Sequence, residues 1–441
     1  MRNTNSCKGC KFARLCIITQ FYPPDYAATG QLIEELANQL GEMGFAVDIF
    51  TGQPGYAFDQ ESAPARENLG AVSVQRSRST RIWAKRLRGK AISGILFCLR
   101  AGLHLLKILL TRDKKTAGSN VLIVTTAPPF LPILGYLANL CFNLPYICVL
   151  YDIYPDIAVE LKVVSAQSWL VRGWNLINRA IWKRAIKIVV LSDSMKNRVA
   201  AKCPEIADKI AVIPTWADPN LIVPIPKAQN WFAQQFNIVD KFTVLYSGNM
   251  GRCHDLETIL EAATSLRSEP IQFVFIGNGA NRPAFIEKVK NLGLENCLFL
   301  PYQDKKDLPY SLTACDLSLV SIKSGMEGLV VPSKFYSALA TGLPVAVISG
   351  SNTDLYQLVK KAKCGGAFTN GNSRGLANFI RYLAADREVA QQMGNSGRSY
   401  LQENFTLEIV AKKYAQILCS PDLELINVRE LAKDPKYVQE T

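Results

Sequence analysis

The chain of 441 residues alternates short apolar runs with amphipathic helical stretches, and it does so in two series. Residues 15–19 form an apolar run, 31–43 space their apolar side chains as a one-sided helix does, and 46–51 form the next run. Shorter runs follow at 186–191 and 210–213. From 217 to 240 the texture changes, with Pro219, Pro224 and Pro226 among mixed polar residues, which marks a domain boundary. The second series predicts strands over 242–247, 272–276, 297–300, 317–321 and 344–348. Helices are predicted between them over 256–266, 282–292, 305–314 and 333–340. Such alternation implies right-handed βαβ units and parallel sheets. The fold class is therefore α/β, with two doubly wound, Rossmann-like domains facing one cleft, where ligands bind beyond the C-terminal ends of the strands. The expected division is a domain over 1–218, a linker over 219–240 and a second domain over 241–405. A helix over 406–420 is expected to reach across the boundary, and a tail occupies 421–441.

A hydrophobic content of 49% excludes intrinsic disorder and supplies ample core. Lys and Arg number 50 against 37 acids, a net charge of +13, which calls for an anionic partner. That charge is local. Between Arg76 and Lys115 stand twelve Lys/Arg and one acid, Asp113, so this stretch carries eleven of the thirteen net charges. Within it, residues 91–110 are apolar apart from Arg100, His104 and Lys107, whose spacing puts them on one helical face. With the preceding run Lys85, Arg86, Arg88 and Lys90, the stretch reads as a helix lying in an anionic membrane interface. An ordinary surface helix and a true membrane span are the alternatives. The basic stretch is interleaved with aliphatic rather than stacking aromatic residues, which argues against nucleic acid.

Residues 116–151 lack charge, but Pro128, Pro129, Pro132 and Pro145 interrupt them. They parse as strand, loop, apolar helix and strand rather than as a span. Of the 12 cysteines only Cys7 and Cys10 have metal-like spacing, with no second pair or histidine nearby, so no metal site is expected. The first residues lack an apolar core, so no secretory signal is expected, and cysteine usage suggests a reducing, cytoplasmic setting.

Three turns carry candidate chemistry. Gly248-Asn249-Met250-Gly251-Arg252 follows a predicted strand and precedes a helix. Its glycines let backbone N–H groups approach a ligand, and Arg252 adds planar cationic donors, a combination suited to a diphosphate. Gly277-Asn278-Gly279 follows the next strand, but Arg282 stands where a dinucleotide fingerprint needs its third glycine. In the third block, from Gly325 to Pro344, the Pro332-Ser333-Lys334 turn places an ammonium for a phosphate, and Glu327 lies in a flexible, glycine-flanked loop suited to accept hydrogen bonds from sugar hydroxyls.

These residues, with Gln20-Phe21-Tyr22-Pro23-Pro24, Gly30, the stretch from Tyr151 to Asp156 and Leu191-Ser192-Asp193-Ser194-Met195, make the chain resemble a retaining glycosyltransferase of family 4 with the GT-B fold. The similarity is to the branch that builds bacterial exopolysaccharides, O-antigens and lipopolysaccharide. The resemblance implies a nucleotide diphospho-sugar donor, UDP-linked by preference, held mainly by the second domain. It also implies a lipid-linked or saccharide acceptor on the first domain and work at the inner face of the plasma membrane. By position, Arg252 and Lys334 would bind the diphosphate, Glu327 the sugar, and Asp152 the acceptor or the transferring sugar. Gly30, Gly248, Asn249, Gly251, Asn278 and Gly279 would line the donor site, and no cofactor or metal is required. Family members commonly carry a second glutamate that contacts ribose, and here its place is taken by Ser337. The competing readings are a non-catalytic scaffold of a polysaccharide assembly complex and a nucleotide-dependent oxidoreductase or epimerase.

Overall fold

The computed structural model describes residues 14–25, 27–55, 63–78, 87–111 and 120–419. Arg81, Lys85, Arg86, Arg112, Lys114 and Lys115 of the basic stretch, Cys7 and Cys10, and the tail therefore lie outside the described residues, as do the side chains of Arg88 and Lys90.

The first sheet contains β1 (Arg14–Ile18), β2 (Ala46–Thr51), β3 (Arg66–Leu69), β4 (Val72–Arg76), β5 (Asn120–Thr125), β6 (Tyr146–Leu150), β7 (Lys187–Val190) and β8 (Ile210–Val212). Its order is β3-β4-β2-β1-β5-β6-β7-β8, parallel except for the antiparallel β3–β4 hairpin. Its helices are α1 (Ala28–Glu42), α2 (Leu87–Leu110), α3 (Pro132–Phe142), α4 (Asp156–Glu160), α5 (Trp169–Arg184) and α6 (Asp193–Lys202). Within the uncharged 116–151 region, the described residues from Asn120 on form β5, α3 and β6; every residue of β6 is buried, as helices covering both faces of a parallel sheet require.

After α7 (Trp231–Gln235), the second sheet has the order β11-β10-β9-β12-β13-β14, parallel throughout. Its strands are β9 (Phe242–Ser247), β10 (Ile271–Ile276), β11 (Cys297–Leu300), β12 (Leu317–Ser321), β13 (Val345–Ile348) and β14 (Gly365–Phe368). Its helices are α8 (Glu257–Ser265), α9 (Arg282–Asn291), α10 (Leu308–Thr313), α11 (Lys334–Ala340), α12 (Asp354–Ala362), α13 (Ser373–Ala385) and α14 (Arg387–Asn404). The helix expected over 305–314 is shorter, because Pro309 fixes the first turn and residues Lys305–Asp307 form only a 3₁₀ turn. In each sheet the strand order reverses once, between β1 and β5 and between β9 and β12, and these switch points open the crevices in which such sheets bind ligands.

The final helix α15 (Leu407–Leu418) packs on α1 of the first domain. The crossing is fixed by Trp216 Nε1, which donates to Glu35 Oε2 of α1 at 2.8 Å, and by Ala217 N, which donates to Phe405 O at 3.3 Å. The two domains also touch across the cleft. Ile153 N donates to Leu329 O at 3.1 Å, and Arg198 Nε donates to Glu327 O at 2.8 Å.

Candidate active site

The two glycine turns of the second domain are one structure. Gly248 N donates to Ile276 O at 2.8 Å, Met250 N to Asn278 O at 2.7 Å, and Asn281 Nδ2 to Gly251 O at 3.1 Å. Only glycine permits this packing at 277, where φ is +124° and an added Cβ would lie 2.2 Å from Gly248 O. At Gly279 a Cβ would meet Met250 at 2.5 Å. Gly248, Asn249, Gly251, Asn278 and Gly279 are thereby brought together at the C-terminal ends of β9 and β10.

Lys334, at the start of α11, reaches over this turn. Its Nζ donates to Asn249 O at 3.4 Å and lies 3.8 Å from the centre of the Tyr246 ring, whose hydroxyl donates to the same carbonyl at 3.0 Å. Burial pushes the Lys334 ammonium down to about 7. Among the described residues it has no carboxylate partner, so its charge is uncompensated. Arg252 flanks the turn on the other side, exposed, at a cavity of about 270 Å³ shared with His254, Asn281, Lys288 and Lys323. Asp255 and Glu257 line it as well, and Lys288 pairs with Glu257 at 2.5 Å.

His254, which no motif in the sequence marks, lines the same cavity as Arg252. Its Nδ1 lies 2.7 Å from Ser321 O at the end of β12; a carbonyl only accepts, so Nδ1 carries the proton and Nε2 is left as an acceptor. Burial, reinforced by the charge of Lys334, pushes the imidazole down to about 3. A neutral ring with a free acceptor suits a hydroxyl rather than a phosphate oxygen. Spacing could not have revealed it, since the partner carbonyl stands 67 residues away.

Glu327 departs from the flexible loop expected of it. Its Oε2 accepts from Gly325 N at 2.6 Å, its own carbonyl accepts from Arg198 of the first domain, and a Cβ on Gly328 would meet Ser194 O at 2.9 Å. The loop is therefore clamped between domains, and Oε1 keeps its lone pairs for a ligand. Asp152 enters the cleft beyond β6, where it bridges to Val330. Burial raises its carboxyl to about 6; burial first, and the charge of Asp152 second, raise Cys253, next to Arg252, to about 11. Asp152 from the first domain thus lies beside the glycine turn of the second.

Two expected residues face inward. A Cβ on Gly30 would lie 2.9 Å from Tyr22 N, so this glycine lets α1 close against the Phe21–Tyr22 backbone. Ser337 Oγ donates to Lys334 O at 3.1 Å, within its own helix. A larger cavity of about 680 Å³ lies at the domain junction; it takes in Glu327, Ser194, Phe335, Tyr336, Asp354 and Phe405 but neither Lys334 nor Arg252. The polar glycine turn, not this mainly apolar space, carries the features an anion needs. Among the described residues no group of three or more His, Cys, Asp or Glu side chains could hold a metal ion.

Residues 29–221 match the family model described as Glycosyltransferase Family 4, and residues 227–400 match that of Glycosyl transferases group 1. The chain is 24% identical over 408 residues to "Probable glycosyltransferase WbjE" of Pseudomonas aeruginosa, covering 91% of this chain and 97% of that protein. It is 32% identical over 173 residues to WcaI of Escherichia coli, a protein named for glycosyl transfer in colanic acid biosynthesis, covering 39% of this chain and 42% of WcaI. Among solved structures, sucrose-phosphate synthase from Thermosynechococcus elongatus superposes with a TM-score of 0.69 at 19% identity, covering 95% of this chain and all of that one. Anabaena HepE in complex with UDP and glucose gives a TM-score of 0.68 at 16% identity, over 92% and 99% of the two chains. Family models over both halves, a relative matched along almost its whole length and the two facing parallel sheets place the chain among the glycosyltransferases of the GT-B fold.

Proposed function

We propose that the chain transfers a sugar, with retention of anomeric configuration, from a nucleotide diphospho-sugar to a lipid-linked or saccharide acceptor in cell-surface polysaccharide synthesis. The observation that carries this reading is the Lys334 ammonium, half-buried over the Asn249 carbonyl with no counter-charge among the described residues. A UDP-sugar is the favoured donor; Anabaena HepE, a structural neighbour, has been solved with UDP-glucose. The association of WcaI with colanic acid favours the polysaccharide setting.

In this reaction the bond between the anomeric carbon and the diphosphate oxygen breaks, and the nucleoside diphosphate leaves with growing negative charge. Lys334, Arg252 and the N–H groups of the Gly248–Gly251 turn meet that charge, a fixed arrangement that needs no reorganisation as it develops. Glu327 Oε1 accepts from sugar hydroxyls, and His254 Nε2 accepts from a further hydroxyl of the donor. The acceptor hydroxyl attacks from the first-domain side beside Asp152, and its proton passes to the leaving phosphate. The acceptor's lipid is met at an anionic cytoplasmic leaflet, against which the α2 region rests.

Lys334→Ala and Arg252→Ala are each expected to lower transfer by about 10²-fold or more while the melting temperature stays unchanged. The assay is nucleotide release from a panel of nucleotide sugars by the purified chain. Full activity in either variant sinks the assignment. Inverted stereochemistry in the product, read by NMR, sinks retention.

A further inference from the structure

The outer layer of the first domain has a composition that the transferase site does not use. Helices α2, α3 and α5 lie side by side. Gly94 and Gly102 let α2 approach Pro128 and Leu134 of the α3 region closely, and Arg184 Nε of α5 donates to Asn139 Oδ1 of α3 at 2.6 Å. These helices of 24, 11 and 16 residues contain no Asp or Glu and eight Lys/Arg. At the chain's overall frequency, 37 acids in 441 residues, about four would be expected there.

The exposed faces are apolar. Along α2, Ile95, Leu99, Leu103, Leu106 and Leu110 recur every three or four residues and are 41–69% exposed. The opposite stripe, Phe97, Ala101 and Leu105, is buried, and Phe97 stacks on Phe50 of β2. On α3, Leu137, Leu140 and Phe142 are exposed, and on α5 so are Trp169 (78%), Leu170, Leu176 and Ile177. Arg172, Arg179 and Lys183 recur along one edge of the α5 face, with Glu205 at the margin paired to Lys183 at 2.7 Å. Apolar area this extensive marks an interaction surface. Its chemistry selects the partner: aliphatic side chains for the acyl boundary, a Trp for the headgroup level, and Lys/Arg unopposed by acids within the three helices for lipid phosphates. The stretch Ile92–Leu110 is long and apolar enough to cross a membrane, but its stripe against β2 suits a helix lying flat.

We propose that the outer faces of α2, α3 and α5 form one continuous docking surface for an anionic lipid leaflet, in which α5 with Trp169 is an anchor equal to α2. The inference rests on the membrane element of the proposed function and extends it to two helices outside the basic stretch. It also places the cleft. Asn178, on the inner side of α5, donates to Tyr154 O at 2.7 Å, two residues beyond Asp152, so the docked helix holds the acceptor edge of the cleft beside the leaflet.

The test is flotation of the full chain with vesicles of phosphatidylcholine, alone or mixed with phosphatidylglycerol. The wild type should float with the mixed vesicles and not with phosphatidylcholine alone. Leu176→Glu with Ile177→Glu in α5, and separately Leu99→Glu with Leu103→Glu in α2, should each lower that partition by about tenfold or more. Arg172→Glu with Arg179→Glu should do the same with the apolar face intact, and Trp169→Phe should abolish much of the fluorescence blue shift on binding. Unaltered flotation of the α5 variants, absence of wild-type flotation, or a dimer that those variants split into monomers would each overturn the proposal. Nucleotide release from the same panel of nucleotide sugars in solution is the separate readout: the variants should keep it, and its absence in the wild type with every donor counts against the transferase reading while leaving flotation to judge the surface.

Discussion

The first strand–helix turns of the two domains occupy the same place in their sheets and are built in opposite ways. Beyond β1, the turn is closed by internal bonds. Gln20 O accepts from Gly52 N at 3.1 Å, Pro23 O accepts from Arg76 Nη2 at 2.8 Å, and Asp25 Oδ2 accepts from Gly55 N at 3.3 Å. Its cation, Arg76, is already paired: Nη1 donates to Pro64 O and to the Glu67 carboxylate, and only the buried Nε lacks a partner. Beyond β9, the turn is held by backbone bonds to the neighbouring glycine turn, while its cations, Lys334 and Arg252, have no ion-pair partner among the described residues. A turn whose charges are already paired has nothing to offer a diphosphate. The contrast supports the proposed donor site in the second domain, with Asp152 and the outer surface as the first domain's proposed share.

The comparison breaks most sharply at the glycines. Gly277→Ala combines a backbone angle that L-residues avoid with a Cβ 2.2 Å from a carbonyl, and should cost about 3–4 kcal/mol and abolish donor binding. Gly30→Ala has only a 2.9 Å approach to backbone, in a helical conformation that favours alanine, and should cost about 1 kcal/mol. Urea denaturation of both variants measures this, and equal losses would erase the distinction between the turns. Asp152 comes next. Its folded carboxyl titrates near 6, above its ordinary value, so its buried charge is a burden that grows as pH rises from about 4 to 6 and stays in full above. Asp152→Asn should therefore stabilise the fold at pH 8 by about 1–3 kcal/mol and change nothing at pH 4, while sugar transfer falls. Equal melting shifts at both pH values would refute the buried charge.

The glycine turns and Lys334 were legible in the sequence because their signals are local: glycines directly after an apolar run, and Pro-Ser-Lys before a helix. So were the central strands β6, apolar throughout, and β10, apolar except for Gln272. What was missed depends on contacts between distant segments. His254 acquires its tautomer from a strand end 67 residues on, and the clamp on the Glu327 loop comes from Arg198, 129 residues earlier. The β3 strand, Arg66–Leu69, is polar and largely exposed, so no alternation announces it. The face of α5 has a local signal too, because the sixteen residues Trp169–Arg184 contain no acid, but it is fainter than the dense basic run before α2.

The smallest effect is the most specific to the open turn. Lys334 titrates near 7 because burial disfavours its ammonium, and a bound diphosphate favours that same ammonium. The donor therefore meets a charged lysine below pH 7, and above it must restore the proton at a cost that grows with pH. Affinity for UDP-glucose, whose diphosphate does not titrate in this window, should fall above pH 7 by at most about tenfold per pH unit and by less where solvent reaches the side chain, any change below about 6.5 belonging to Asp152. His254, neutral throughout that range, adds no step of its own. Lys334→Arg keeps its charge and should lose the slope while retaining some affinity. Titration calorimetry across this range decides it, and a slope that survives in the arginine variant would assign the proton to another group and remove the distinction drawn between the spent Arg76 and the unspent Lys334.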